Sequence, residues 1–192
     1  MSTQLLKLKV KLRIEHYSKD GKLKKVVSQE GDRVLDNFAY FLKLIFTNVG
    51  ANEYADVSGF VSEDGESVTL RLGYDYNCWD YANGVPKRFF VEMGTGTTPP
   101  SNSDYSLENY HNRAVASIHS LELLSDSIKI TLRGSVSATS DVTINEVGLA
   151  LYCPDYMGNR YFILLFRDVL AESISLASGE HLSIYYTIEF SR

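Results

Sequence analysis

The sequence predicts a mainly β protein: an antiparallel β-sandwich, jelly-roll-like, with one amphipathic helix near residues 36–48. Three observations predict it. Several segments alternate apolar and polar side chains with period two, the mark of strands with one buried and one wet face. About ten such segments, separated by short turn signals, suit two stacked sheets. Only one stretch has helical spacing. The 192 residues fit one unit, since compact domains usually take about 100–200 residues. We therefore expect 1–192 to form a single sandwich domain, with an N-terminal hairpin and the helix packed on it.

The elements follow in chain order. Leu6, Leu8, Val10, Leu12 and Ile14 alternate with Lys7, Lys9, Lys11, Arg13 and Glu15, which predicts a first strand. Lys19-Asp20-Gly21-Lys22 is a turn, because Asp-Gly readily takes the positive φ angles of a tight hairpin, and a second strand follows over 23–28. Asp36 or Asn37 can cap a helix through a side-chain oxygen. Phe38, Phe41, Leu42, Ile45 and Phe46 then share one stripe, and Asn48 and Gly50 suit its end. This stripe is expected to plug one end of the sandwich rather than bind a cofactor. Further strands are expected around 57–61, 68–72 and 88–93, with Glu63-Asp64-Gly65-Glu66 turning between the first two. Segments 115–123 and 128–136 read as a hairpin about Ser125-Asp126. Residues 142–151 continue the pattern, and 161–166, apolar throughout, suit a strand covered on both faces. Leu182, Ile184, Tyr186, Ile188 and Phe190 alternate in the last strand, after a Ser178-Gly179-Glu180 turn.

Composition narrows the function classes. An apolar fraction of 44% and a charged fraction of 22% belong to a globular chain. A net charge of −5 argues against a surface wholly devoted to nucleic acid. The charge is uneven, however: residues 1–25 carry +6, which leaves −11 for the remainder. The plainer reading is a solvated strand face whose lysines block edge-to-edge pairing. The sharper one is contact with DNA or an acidic neighbour. Lys7, Lys9 and Lys11 interrupt any signal-peptide core, and no apolar run nears the roughly 20 residues of a membrane helix, so a soluble product with no membrane span is expected. Cys78 and Cys153 form no CxxC motif; the sequence allows one disulfide between them without demanding it.

Catalytic motifs are sparse. His16, His111, His119 and His181 are too widely spaced for a local metal pair, and no Gly-x-Ser-x-Gly elbow occurs. The glycines of Gly94-Thr95-Gly96-Thr97-Thr98-Pro99-Pro100-Ser101 suggest a phosphate loop, but the Gly-Lys-Ser/Thr ending is missing. We expect no enzyme, cofactor or metal. Glu146 stands out, because it interrupts the apolar strand Ile144-Asn145-Glu146-Val147-Gly148-Leu149. A buried carboxylate is unfavourable unless paired. Arg167, at the end of the next apolar strand, is the expected structural partner and would lock the register of that hairpin; Arg113 is the alternative. A general acid or base role is the functional reading. Residues 73–84 show no period, and Tyr74, Tyr76, Trp79 and Tyr81 make that loop a candidate contact surface.

The run Val91-Glu92-Met93-Gly94-Thr95-Gly96-Thr97-Thr98-Pro99-Pro100-Ser101, followed by Ser103-Asp104-Tyr105-Ser106-Leu107-Glu108, resembles a pattern of virion proteins from tailed phages and some archaeal viruses. Those proteins continue with strands like Ile144–Leu149, Leu165-Phe166-Arg167 and Leu182–Ile188, and their N-terminal part is similar to Val34-Leu35-Asp36-Asn37-Phe38. The likeness covers 34–48 loosely and 91–190 more firmly, and leaves 51–88 unmatched. It implies a virion structural protein: a homo-oligomeric component of a tail, baseplate, fibre or virion end structure, made in the host cytoplasm and neighboured by other virion proteins. Contact with a host surface glycan or with DNA is a lesser expectation. The alternative is a carbohydrate-binding β-sandwich module, with Trp79, Tyr76 and Tyr81 stacking on sugar rings. A β-sandwich hydrolase is a third option and requires two carboxylates facing across a cleft.

Overall fold

A computed structural model of the chain describes residues 7–31, 33–46, 54–73, 88–155, 157 and 159–191. The alternating N-terminal segment is strand β1, Lys7–Tyr17, with Val10, Leu12 and Ile14 buried and Lys7, Lys9, Lys11 and Arg13 exposed. It turns at Gly21, whose φ of 79° disfavours a side chain, into β2, Leu23–Glu30. The short β3, Arg33–Val34, precedes helix α1, Asp36–Phe46. Then come β4, Tyr54–Val61, and β5, Ser67–Gly73. Next are β6, Arg88–Gly94, β7, Tyr110–Leu123, and β8, Ser127–Ser137. The last three are β9, Val142–Pro154, β10, Arg160–Leu176, and β11, His181–Ser191.

Nine strands form one antiparallel sheet in the order β2-β1-β11-β8-β7-β6-β9-β10-β3, while β4 and β5 pair with each other. Strand twist makes so wide a sheet curl, and this one folds back to make a sandwich. Tyr186 of β11 stacks on Phe166 of β10 at 5.9 Å and donates a 2.7 Å hydrogen bond to Asp168, although four strands separate β11 from β10 in the sheet. Gln29 of β2 bonds to the backbone of Val169 and Ala171 on β10, drawing the far edges together. The inner faces of both layers share one core, with Leu12, Ile14, Val136, Val147, Leu149 and Ile184 among its buried members. Among the described residues, the expected mainly β, antiparallel sandwich with a single helix is therefore what the chain forms.

The helix does sit against the sandwich interior: Phe38 lies 4.6 Å from Phe166, and Phe41 meets Phe89 edge-on at 5.9 Å. Its other side is covered as well. Leu44, off the expected stripe, is buried, and Tyr40 packs on Phe60 of β4. Asn37 acts as a bolt rather than a cap. Its Nδ2 donates to the carbonyls of Val61 and Leu164, and its Oδ1 accepts from Val61 N at 2.9 Å. One buried amide thus ties β4 to β10.

Candidate functional site

Alternation along β6 sends Val91 and Met93 into the core and Glu92 outward; along β9 it sends Val147 and Leu149 inward and Glu146 outward. The outer face of β6, β9 and β10 is not left to water. The loop 95–109 folds over it, and Leu107 joins Leu35, Ala150 and Leu164 in a second small core. The fit is close: a Cβ on Gly96 would lie 2.5 Å from Glu146 Oε1 and 2.5 Å from Glu108 Cβ. Glycine is needed there because backbone meets side chain with no room between them.

Glu146 and Arg167 hold this loop. Glu146 Oε1 accepts from Gly96 N at 2.9 Å and Asn109 N at 2.8 Å; its Oε2 accepts from Glu108 N at 3.1 Å and Arg167 Nε at 2.8 Å. Arg167 Nη1 donates to Asp104 at 2.6 Å and Nη2 to Thr98 O at 3.1 Å. Both Glu146 and Arg167 are buried. Burial opposes the arginine's charge, but the Glu146 and Asp104 carboxylates outweigh it and raise its pKa above the ordinary value. The pair is diagonal across neighbouring strands, since Glu146 faces Val169 and Arg167 faces Gly148. Glu108 extends the network by accepting from Thr97 N, Thr98 N and Thr98 Oγ1, and these bonds, Thr98 foremost, hold its pKa below the usual carboxylate value. Chemically the arrangement is a scaffold: its carboxylate is filled by three backbone donors and one guanidinium.

Arg113, the alternative partner, serves a second cluster. Its Nη2 donates to Glu63 Oε2 at 2.8 Å, and its Nη1 lies 3.1 Å from Glu92 Oε1. The guanidinium sits 3.7 Å over the Phe162 ring. Glu63 belongs to the β4–β5 turn and anchors there through its own N–H to Phe162 O at 3.0 Å. With both acids ionised, Glu63 Oε1 and both oxygens of Glu92 lack a hydrogen-bond donor. Burial, reinforced by the charge of Glu63, pushes the Glu92 pKa well above the ordinary carboxylate value. Glu92 is therefore protonated over a pH range in which an ordinary carboxylate is ionised, and burial raises the Glu63 pKa as well. Sequence reading missed Glu92 and Glu63. The signal for Glu92 was present, because Val91-Glu92-Met93 interrupts an apolar strand just as Glu146 does.

The basic hairpin finds acids within the chain: Lys11 lies 3.8 Å from Glu189, Lys24 2.7 Å from Glu180, and Lys25 2.7 Å from Glu172. His16 is buried beside Glu180 at 2.9 Å. Hydrogen bonds from Lys24, Ala177 N and His16 hold the Glu180 pKa at about 2. His181 stacks on Tyr17, and His119 meets Tyr185 edge-on. Among the described residues no group of three or more His, Cys, Asp or Glu could hold a metal, and no helix is long and apolar enough to cross a membrane. Cys153 is buried and disulfide-bonded; the chain's other cysteine, Cys78, lies outside the described residues. Tyr74, Tyr76, Trp79 and Tyr81, the candidate contact surface, also lie outside the described residues. Comparison of the chain with family models, curated proteins and solved structures finds no match.

Proposed function

We propose that the chain is a virion structural protein, a multi-copy β-sandwich component of a tail, baseplate, fibre or virion end structure, with other virion proteins as its neighbours. The observation that carries this reading is the convergence of the residues behind the resemblance. Gly96, Thr97, Thr98, Asp104, Glu108, Glu146 and Arg167 come from separate stretches of sequence, yet they form one hydrogen-bonded network. That network has the chemistry of a structural lock. Its central carboxylate is buried and filled with donors, which suits a part that must hold its shape under load rather than one that exchanges protons with a substrate.

The test is the mass of the full chain in solution, by light scattering across a concentration series, joined to mass spectrometry of purified particles. The expected result is a discrete homo-oligomer and recovery of the chain in stoichiometric amounts from particles. A monomer at every concentration, together with absence from particles, overturns the reading.

A further inference from the structure

We propose that the turn between β4 and β5 is a proton-operated latch: it closes over the outer face of the sheet while the Glu63–Glu92 pair holds a proton, and it loosens when that proton leaves. The inference is independent of the multi-copy reading and goes beyond it.

Topology makes the turn separable from the body. β4 and β5 pair with each other and lie outside the nine-stranded sheet, which β5 meets through an isolated bridge from Leu70 to Asp155. The base of this hairpin is held by groups that do not titrate. Val57, Phe60, Val68 and Leu70 are buried in the core, and the Asn37 amide bonds to Val61. The tip is built differently. Gly65 N donates to Ser62 O, and Ser62 N to Glu66 O, so these bonds close the turn on itself. Its hydrogen bonds to the body centre on Glu63, whose N–H donates to Phe162 O at 3.0 Å and whose Oε2 accepts from Arg113 Nη2 at 2.8 Å.

Beneath the tip the charges do not balance. Two carboxylates against one guanidinium leave a net charge of −1 when both acids ionise, and one proton brings the cluster to zero. Glu92 is fully buried, and with both acids ionised neither of its oxygens has a hydrogen-bond donor; Glu63 Oε1 has none either. Arg113 Nη1 lies 3.1 Å from Glu92 Oε1 without the geometry of a hydrogen bond. An uncompensated buried charge is unfavourable, and uptake of a proton relieves it.

The neighbouring groups leave the imbalance in place. On β7, the Tyr110 hydroxyl accepts from Arg113 Nε at 3.1 Å. Asp64 in the turn and Glu146 on β9 add negative charge. On β10, the Phe162 ring is neutral, and Tyr161 beside it feels the charges of Glu66 and Asp155. His111, on β7, has a buried Nε2 without a hydrogen-bond partner and is the rival source of a pH response.

The sign of the switch follows. With the tip open, water reaches both acids and they ionise as ordinary carboxylates do. With the tip closed, burial favours the proton. The closed form binds more protons than the open one, so acid favours closure and rising pH opposes it. Opening draws Glu63 away from Arg113 and bares the Phe162 ring beneath the guanidinium, which packs with Phe90 and Tyr152 at 5.2 and 4.6 Å.

The experiment is hydrogen exchange of the full chain, followed by NMR from about pH 5 to 9 and expressed as protection corrected for the intrinsic pH dependence of exchange. The Glu63 amide should be less protected than the amides of β11, as local opening requires. Its protection should fall with pH by up to about tenfold per unit. Glu92→Gln and Glu63→Gln each leave one acid for one guanidinium, so in both variants that protection should stay level. A pH response that persists in both variants belongs to His111 or another group and overturns the latch. Protection at Glu63 equal to that of β11 at every pH means that the turn opens only with the whole fold, which also overturns it. Side-chain carboxyl ¹³C shifts of the wild type give a test that needs no variant: titration of Glu92 as an ordinary carboxylate overturns the proposal.

Discussion

Two glutamates on neighbouring strands, on the same outer face, have opposite environments. Glu146 lies across from Gly94, and Glu92 lies across from Gly148 two register positions away, each with an arginine in reach. Around Glu146 the carboxylate is matched by three backbone N–H groups and Arg167. Around Glu92 two acids share Arg113, and burial pushes the Glu92 pKa well above the ordinary carboxylate value. The difference teaches that one arginine alone does not satisfy a buried carboxylate. Around Glu146 the backbone donors brought by the 95–109 loop complete the set, because they fill the lone pairs that water has left.

The largest effect should come from breaking the saturated cluster. Arg167→Leu leaves Glu146 buried without its cation and Asp104 without its partner, so urea denaturation should show a loss of about 3–5 kcal/mol. Gly96→Ala comes next. Its Cβ would collide with Glu146 and Glu108 at 2.5 Å, and overpacking of this kind costs about 1–3 kcal/mol in the same assay.

The unsaturated cluster should respond to pH. The fold retains a proton on Glu92 that the unfolded chain releases above its ordinary value of 4.5. Stability therefore falls as pH rises above 4.5, until Glu92 ionises in the folded state and the loss is complete. Glu92→Gln is neutral at every pH, so its melting temperature should decline less than that of the wild type across this range. A wild-type profile as flat as the variant's would contradict the raised Glu92 pKa. The smallest effect is expected at Lys24→Met. The stabilisation from Glu180 is present above pH 4.5 and lost as pH falls towards its folded pKa of about 2. Removing Lys24 should raise that pKa and lower the melting temperature modestly near neutrality, with the difference from the wild type vanishing as pH falls to about 2.

Much of this was legible in single residues. The alternation from Leu8 to Ile14 fixes which side of β1 is buried, because period two admits only one inward set. Glu146 could be picked out because an acid inside an apolar strand demands a partner, and Arg167 stands at the end of the next apolar run. The same logic applied to Glu92, but Glu63 lies in a remote turn and shares no sequence pattern with β6, so the acid pair around Arg113 could not be read. Asn37 looked like a cap because Asn at a helix start favours that role; the close approach of β4 and β10 offered its amide three backbone partners instead. Lysines 11, 24 and 25 read as a solvated strand face, with an acidic neighbour as the sharper alternative, and the acids they meet come from β10, β11 and the turn between them.

By itself, then, the sequence determined the helix, the longer strands and the inward set of alternating strands such as β1, since these follow from local periodicity, whereas the second buried side of α1 at Leu44 and the short β3 did not. Tertiary structure alone decided how the wide sheet curls and which outer face the Gly-Thr loop covers. Those outcomes depend on strand order and on where one layer ends above another. No local pattern encodes them, because they arise from contacts between residues far apart in the chain.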